Sequence, residues 1–278
     1  MLICCICCMI LCGAALPAEA AQRASKIKEA PQILIPAPSG DENAIYRSGN
    51  GNTTIDYGNM SQGYVMVMHS ATSEVLKVRI TLDDMEYTYD LNSEGMFEVF
   101  PLQMGNGEYM IQVFSQVRAD AYRRIAETHI SVLLDDPNAP YLYPSQYVHY
   151  TANSMAVAKS KEICQGLETD REKVKAIYTF CSRRIYYDYI FAVKPKPGYV
   201  PDVDSVLAAR KGICFDYAAL MATMLRVQGI PTKLVIGYAD RSYHAWNNVW
   251  LDGEWYRLDA TYVATSVRAE KYRAERYY

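Results

Sequence analysis

Only four histidines are scattered through the 278 residues, with no H-E-x-x-H pair and no C-x-x-C beyond the first dozen positions. Metal chemistry needs His, Cys or carboxylate ligands at close spacing, and the sequence offers no such set. Glycine-rich phosphate loops are missing too, so no nucleotide cradle is expected. A net charge of -3 and a pI near 5.9 give no electrostatic reason to bind nucleic acid or anionic lipid. There is no internal repeat and no low-complexity tract. These absences point to a protein that works without a metal or cofactor and without nucleic acid as a partner.

Half of the residues are hydrophobic and 21% are charged, which is enough apolar material for a real core. Domains usually run to about 100 to 200 residues, so two are expected. Met1 to Leu16 carries no charge and leads into Ala18-Glu19-Ala20, the pattern of a secretory signal and its cleavage site. Residues 1–20 are therefore read as a signal peptide and the protein as secreted or held in the cell envelope. Once that segment is removed, Cys164, Cys181 and Cys214 remain. Three is an odd number, so at least one thiol stays free or pairs with another molecule.

Residues 21–43 read as a linker. From Gly63 to Leu134 short alternating runs (63–70, 75–82, 85–91, 97–102, 108–117 and 125–134) are separated by turn signals such as Asp83-Asp84 and Gly105-Asn106-Gly107. That rhythm predicts an all-β, immunoglobulin-like sandwich over residues 44–134. The Pro-rich stretch 135–144 reads as a second linker, and residues 145–278 as a second, α+β domain. Its first long helix is signalled by the capping box Thr169-x-x-Glu172, with Val174, Ile177, Tyr178, Cys181 and Ile185 on one face. Cys181 and Cys164 are read as core.

Cys214 stands apart from them. It opens the run Phe215 to Gln228, whose apolar stripe, Gly229 cap and Pro231 stop predict a helix. A cysteine in a first helical turn meets unpaired amides and the positive end of the macrodipole, which favour a thiolate. The same amides can stabilise an oxyanion. Downstream, Tyr243 to Leu251 and Glu254 to Asp259 are strand-like runs joined by Asp252-Gly253, a strong hairpin signal. A two-residue turn there pairs Leu251 with Glu254 and, stepping outward, Trp246 with Asp259 and His244 with Thr261. His244 and Asp259 then become diagonal neighbours on one face, about 7 to 8 Å apart at Cα. Cys214, His244 and Asp259 are thus the candidate nucleophile, base and orienter of a thiol enzyme.

Four blocks carry a family resemblance: Lys211-Gly212-Ile213-Cys214-Phe215-Asp216-Tyr217-Ala218, Gly229-Ile230-Pro231, His244-Ala245-Trp246-Asn247 and Trp255-Tyr256-Arg257-Leu258-Asp259-Ala260-Thr261. In this order they resemble the core of the transglutaminase-like superfamily, over about residues 150–265. The resemblance implies a papain-related α+β fold, with Cys214 on a central helix packed against an antiparallel sheet and His244 and Asp259 completing the triad. It implies cysteine-dependent acyl transfer through a thioester on peptide or glutamine amides of a protein or peptide substrate, cell-wall peptides included. Water as acceptor gives a peptidase or deamidase instead, and a binding or scaffold protein that merely keeps the fold is the non-catalytic alternative. Relatives of this kind complete the oxyanion hole with a side chain before the cysteine, for which Tyr186, Tyr187 and Tyr199 are the candidates.

Overall fold

Alternating burial builds strands across the N-terminal half. Strand β1 (Ile45–Arg47), β2 (Thr53–Asp56), β3 (Tyr64–His69) and β6 (Glu98–Pro101) form one sheet in the order β1-β2-β3-β6. Strands β4 (Leu76–Leu82), β5 (Met85–Leu91), β7 (Gly107–Arg118) and β8 (Ala121–Val132) form another in the order β5-β4-β7-β8, and every pairing in both sheets is antiparallel. Leu76, Val78, Ile80 and Leu82 alternate inward from β4 and share a core with Ile55, Val65, Val67 and Phe100 of the other sheet. This is a β-sandwich. Its first two strands were not read from the sequence, because at three and four residues they are too short to display a period of two.

This computed structural model describes residues 33–266 and 268–278, all within one compact unit. The expected signal at 1–20 and positions 21–32 of the first expected linker lie outside the described residues.

The Pro-rich stretch 135–144 begins exposed, then folds through a buried 3-10 turn, Ala139–Tyr141. The Tyr141 hydroxyl donates to the Gln103 carbonyl at 3.1 Å, and the Tyr143 hydroxyl to Gln62 Oε1 at 3.2 Å, both in the sandwich region. Beyond it come helices α1 (Met155–Cys164), α2 (Asp170–Arg184), α3 (Tyr189–Val193), α4 (Val203–Ala209), α5 (Cys214–Val227) and α6 (Thr261–Thr265). Helix α2 starts at the expected capping box: Thr169 Oγ1 accepts from the Glu172 amide at 3.2 Å and Glu172 Oε2 from the Thr169 amide at 2.9 Å. Helix α1 precedes it, an element absent from the sequence reading.

The remaining sheet, in the order β13-β12-β11-β14, is antiparallel and built from β11 (Thr232–Ala239), β12 (Ser242–Leu251), β13 (Glu254–Leu258) and β14 (Tyr272–Tyr277). A short parallel pair, β9 (Tyr186–Tyr187) with β10 (Lys211–Gly212), lies just before α5. Helix α5 is buried at every position from Asp216 to Val227, as a helix that is apolar on nearly all sides must be. Cys181 and Cys164 are core residues, at 0% and 6% exposure.

Arg226 is the buried cation of α5. Its guanidinium is fully buried and donates to the carbonyls of Tyr143 (2.6 Å), Thr232 (3.0 and 2.8 Å) and Tyr278 (2.9 Å). Burial lowers its pKa to about 10. One side chain thereby ties the central helix to the Pro-rich connector, to β11 and to the strand that follows the site.

Candidate functional site

Cys214 is the first residue of α5. The helix start is tight because Asp216 turns back on it: Asp216 Oδ2 accepts from the Ile213 amide at 2.8 Å, while Oδ1 accepts from the Tyr199 hydroxyl at 2.6 Å. A Cβ at Gly212 would lie 2.6 Å from Asp216 Cβ, so the residue beside this carboxylate has to be glycine. Asp216 is buried, and burial raises its pKa despite the donors that hold it. Asp216 was not singled out from the sequence, although a carboxylate at the third helical position is a legible capping signal.

His244 sits on β12 opposite Gly237 of β11. The hairpin adopts the register expected from its two-residue turn, from Leu251 with Glu254 to Asn247 with Leu258. The expected pairs of Trp246 with Asp259 and His244 with Thr261 do not form, because the strand stops at Leu258 and Thr261 opens helix α6. Asp259 leaves the end of β13 and reaches His244, with Nε2 to Oδ2 at 2.8 Å. The same oxygen accepts from the Tyr272 hydroxyl at 2.8 Å. Oδ1 accepts from the Thr261 amide at 3.0 Å and its hydroxyl at 2.6 Å. Both carboxylate oxygens are satisfied by donors, so Nε2 carries a proton toward Asp259. Cys214 lines the same cleft as His244, close enough to act on the charge of the imidazole.

The electrostatics follow from this chain of contacts. Burial alone would lower the basicity of His244, but its bond to Asp259 and the nearby Cys214 outweigh it and raise its pKa to about 10. For Asp259 burial pushes upward, and His244, Thr261 and Tyr272 together pull the pKa below its ordinary value. Burial, together with the nearby Cys214, raises the pKa of Tyr187. Of the three tyrosines considered for the oxyanion side, Tyr187 lines the cleft and is the one on which Cys214 acts electrostatically. Tyr199 is taken up by Asp216, and Tyr186 is 70% exposed.

The structure therefore brings Cys214, His244 and Asp259 together and adds Tyr272, Thr261 and Tyr187. Tyr272 comes from β14, which approaches because Gly237 lets the neighbouring backbone pass: a Cβ there would lie 2.1 Å from the Arg273 carbonyl oxygen. The ladder shifts register at Ile236/Gly237. No local pattern in the sequence announces that strand pairing. An open cleft of about 560 Å³ lies over Cys214 and His244, walled by Tyr147, Tyr187, Tyr199, Phe215, Tyr243 and Tyr278. Among the described residues no cluster of His, Cys, Asp or Glu could hold a metal ion.

A buried helix that presents a cysteine to a histidine on an antiparallel sheet defines a papain-related α+β domain. Residues 157–260 match the family model of the transglutaminase-like superfamily, and the chain carries a domain of that superfamily. It is 32% identical over 133 residues to human Kyphoscoliosis peptidase, covering 44% of this chain and 20% of that protein. It is 30% identical over 130 residues to a protein-glutamine gamma-glutamyltransferase of Pseudomonas aeruginosa, covering 41% of this chain and 20% of the relative. The chain thus spans about a fifth of the length of these curated relatives. The crystal structure of the periplasmic domain of TgpA from Pseudomonas aeruginosa aligns with a TM-score of 0.38 at 17% identity, covering 83% of this chain and 77% of that one.

Proposed function

We propose that the chain is an exported cysteine acyltransferase that forms a thioester with the acyl group of a peptide or glutamine amide, with Cys214 as nucleophile, His244 as acid and base, and Asp259 as orienter. The cleft shared by Cys214 and His244, with His244 held by Asp259 at 2.8 Å, carries this reading. The Cys214 sulfur, as thiolate, adds to the amide carbon. The carbonyl oxygen takes up negative charge within reach of the Cys214 amide and the Tyr187 hydroxyl. Collapse of the adduct breaks the C–N bond, and the imidazolium gives its proton to the departing amine. An incoming amine or water then attacks the thioester, loses its proton to His244 and releases the sulfur. An amine acceptor gives crosslinking, whereas water gives deamidation or peptide cleavage.

Export is supported by the uncharged run before Ala18-Glu19-Ala20, and cell-envelope peptides fall within the substrate class. We assign the sandwich to residues 44–134 and the catalytic domain to 145–278. The strand order, with β3-β6 in one sheet and β5-β4-β7-β8 in the other, supports an immunoglobulin-like sandwich. A non-catalytic scaffold reading is disfavoured because all members of the triad are present, with His244 bonded to Asp259 and facing the same cleft as Cys214.

Mass spectrometry of a glutamine-containing peptide incubated with a primary amine tests the proposal. The expected product carries the amine, or glutamate if water is the acceptor, and Cys214→Ala yields neither while remaining folded. Product formation at the wild-type rate by Cys214→Ala would overturn the mechanism.

A further inference from the structure

Two residues of the cleft wall belong equally to the sandwich. Tyr147 and Tyr278 line the cleft over Cys214 and also pack against both the catalytic core and the sandwich core. Their rings meet edge to face at 4.6 Å. On the site side, Tyr147 lies 5.7 Å from the ring of Phe215, the neighbour of Cys214 in the chain. On the sandwich side, Tyr278 meets Tyr87 at 5.5 Å and Tyr89 at 6.3 Å, and Tyr147 meets Tyr89 at 6.2 Å. Tyr87 and Tyr89 point inward from β5, at 8% and 1% exposure. Side chain-to-backbone bonds fasten the join: the Tyr277 amide donates to the Tyr87 hydroxyl at 3.3 Å, and Arg276 Nη1 donates to the Glu86 carbonyl at 2.9 Å.

The chemistry of the cleft is uniform. Lys196 and His244 are the charged or titratable nitrogen groups among its lining residues, no carboxylate lines it, and tyrosine and phenylalanine rings dominate. The apolar character continues to the mouth, where Ile190 and Val193 of α3 are each 85% exposed on either side of the lining residue Ala192. Apolar surface of this kind beside a reactive group favours apolar ligand groups.

We propose that Tyr147 and Tyr278 form a selectivity wall for acyl donors that carry an aromatic or large aliphatic group beside the reacting amide, and that Tyr87 and Tyr89 of the sandwich are the positioning residues that hold this wall. The inference rests on the reading of Cys214 as the nucleophile. It gives the sandwich a part in the site, as the back of its specificity pocket. An aromatic ring in such a stack fixes its neighbours in place, and losing it lets the wall relax.

The test compares two alkylating agents on the full chain at neutral pH: iodoacetamide, which needs only the thiol, and a benzyloxycarbonyl-phenylalanyl chloromethyl ketone, which also needs the wall. Wild type is expected to react faster with the aromatic probe. Tyr87→Leu should cut that preference about 2- to 10-fold, the scale of one aromatic pair, and leave the iodoacetamide rate unchanged. Tyr87→Phe, which keeps the ring, should restore the preference, and Tyr278→Leu should lower it as far as Tyr87→Leu does. An unchanged rate ratio in folded Tyr87→Leu and Tyr278→Leu overturns the wall. A ratio lost equally in Tyr87→Phe overturns the role of the ring. Slow iodoacetamide labelling of wild-type Cys214, no faster than a free thiol, would instead defeat the nucleophile reading itself.

Discussion

Tyr272 and His244 bind the same oxygen of Asp259, each at 2.8 Å, although one belongs to the strand after the site and the other to the hairpin within it. The carboxylate is held by donors from three separate segments, and the histidine inherits that fixed geometry. Tyr272 is itself pinned, with the Arg257 guanidinium stacked 4.0 Å over its ring.

Replacing Asp259 by Asn should lower turnover by about 10- to 10³-fold, within the contribution of a positioned acid-base group. The amide keeps the shape but cannot accept from His244, Tyr272 and Thr261 as the carboxylate does, so the imidazole loses its orientation. Steady-state kinetics with the glutamine peptide, alongside thermal unfolding, is the check. Wild-type turnover in a folded variant would remove Asp259 from the mechanism.

The pH dependence of His244 has a definite sign. Its pKa is raised from 6.5 to about 10, so the stability contributed by its protonated form is fully present below about 6.5 and is lost as pH rises through about 10. Asp259 works the other way: its depressed pKa gives stability above its ordinary value, lost as pH falls through the lowered one. Because Cys214 supplies part of the rise, Cys214→Ala should bring the His244 titration below about 10 when followed by NMR of the ring protons. An unmoved titration would show that the thiol and imidazole do not interact.

Tyr187→Phe removes a hydroxyl from the cleft that Tyr187 shares with Cys214. Loss of one oxyanion donor costs about 10²- to 10³-fold in kcat, so kcat should fall by that scale with little change in KM. Equal alkylation rates of Cys214 in variant and wild type would confirm that the nucleophile is undisturbed. A KM effect alone would make Tyr187 a wall residue and not a donor.

The sequence by itself determined the local parts of this protein. Capping at Thr169 and Glu172, the helix opening at Cys214, and the turn at Asp252-Gly253 depend on neighbours in the chain, and each forms as its residues dictate. The hairpin turn even set the register that lets Asp259 meet His244, because a tight turn leaves the strands a single way to pair. Tertiary structure decided what no short window contains. Tyr272 reaches Asp259 only through the pairing of β14 with β11, a contact that depends on the close approach at Gly237. Tyr187 reaches Cys214 only because β9 pairs with β10. Tyr147 and Tyr278 become one wall only because two cores meet across them, and buried apolar area is non-directional, so the sequence requires that such rings be covered without naming the partner that covers them.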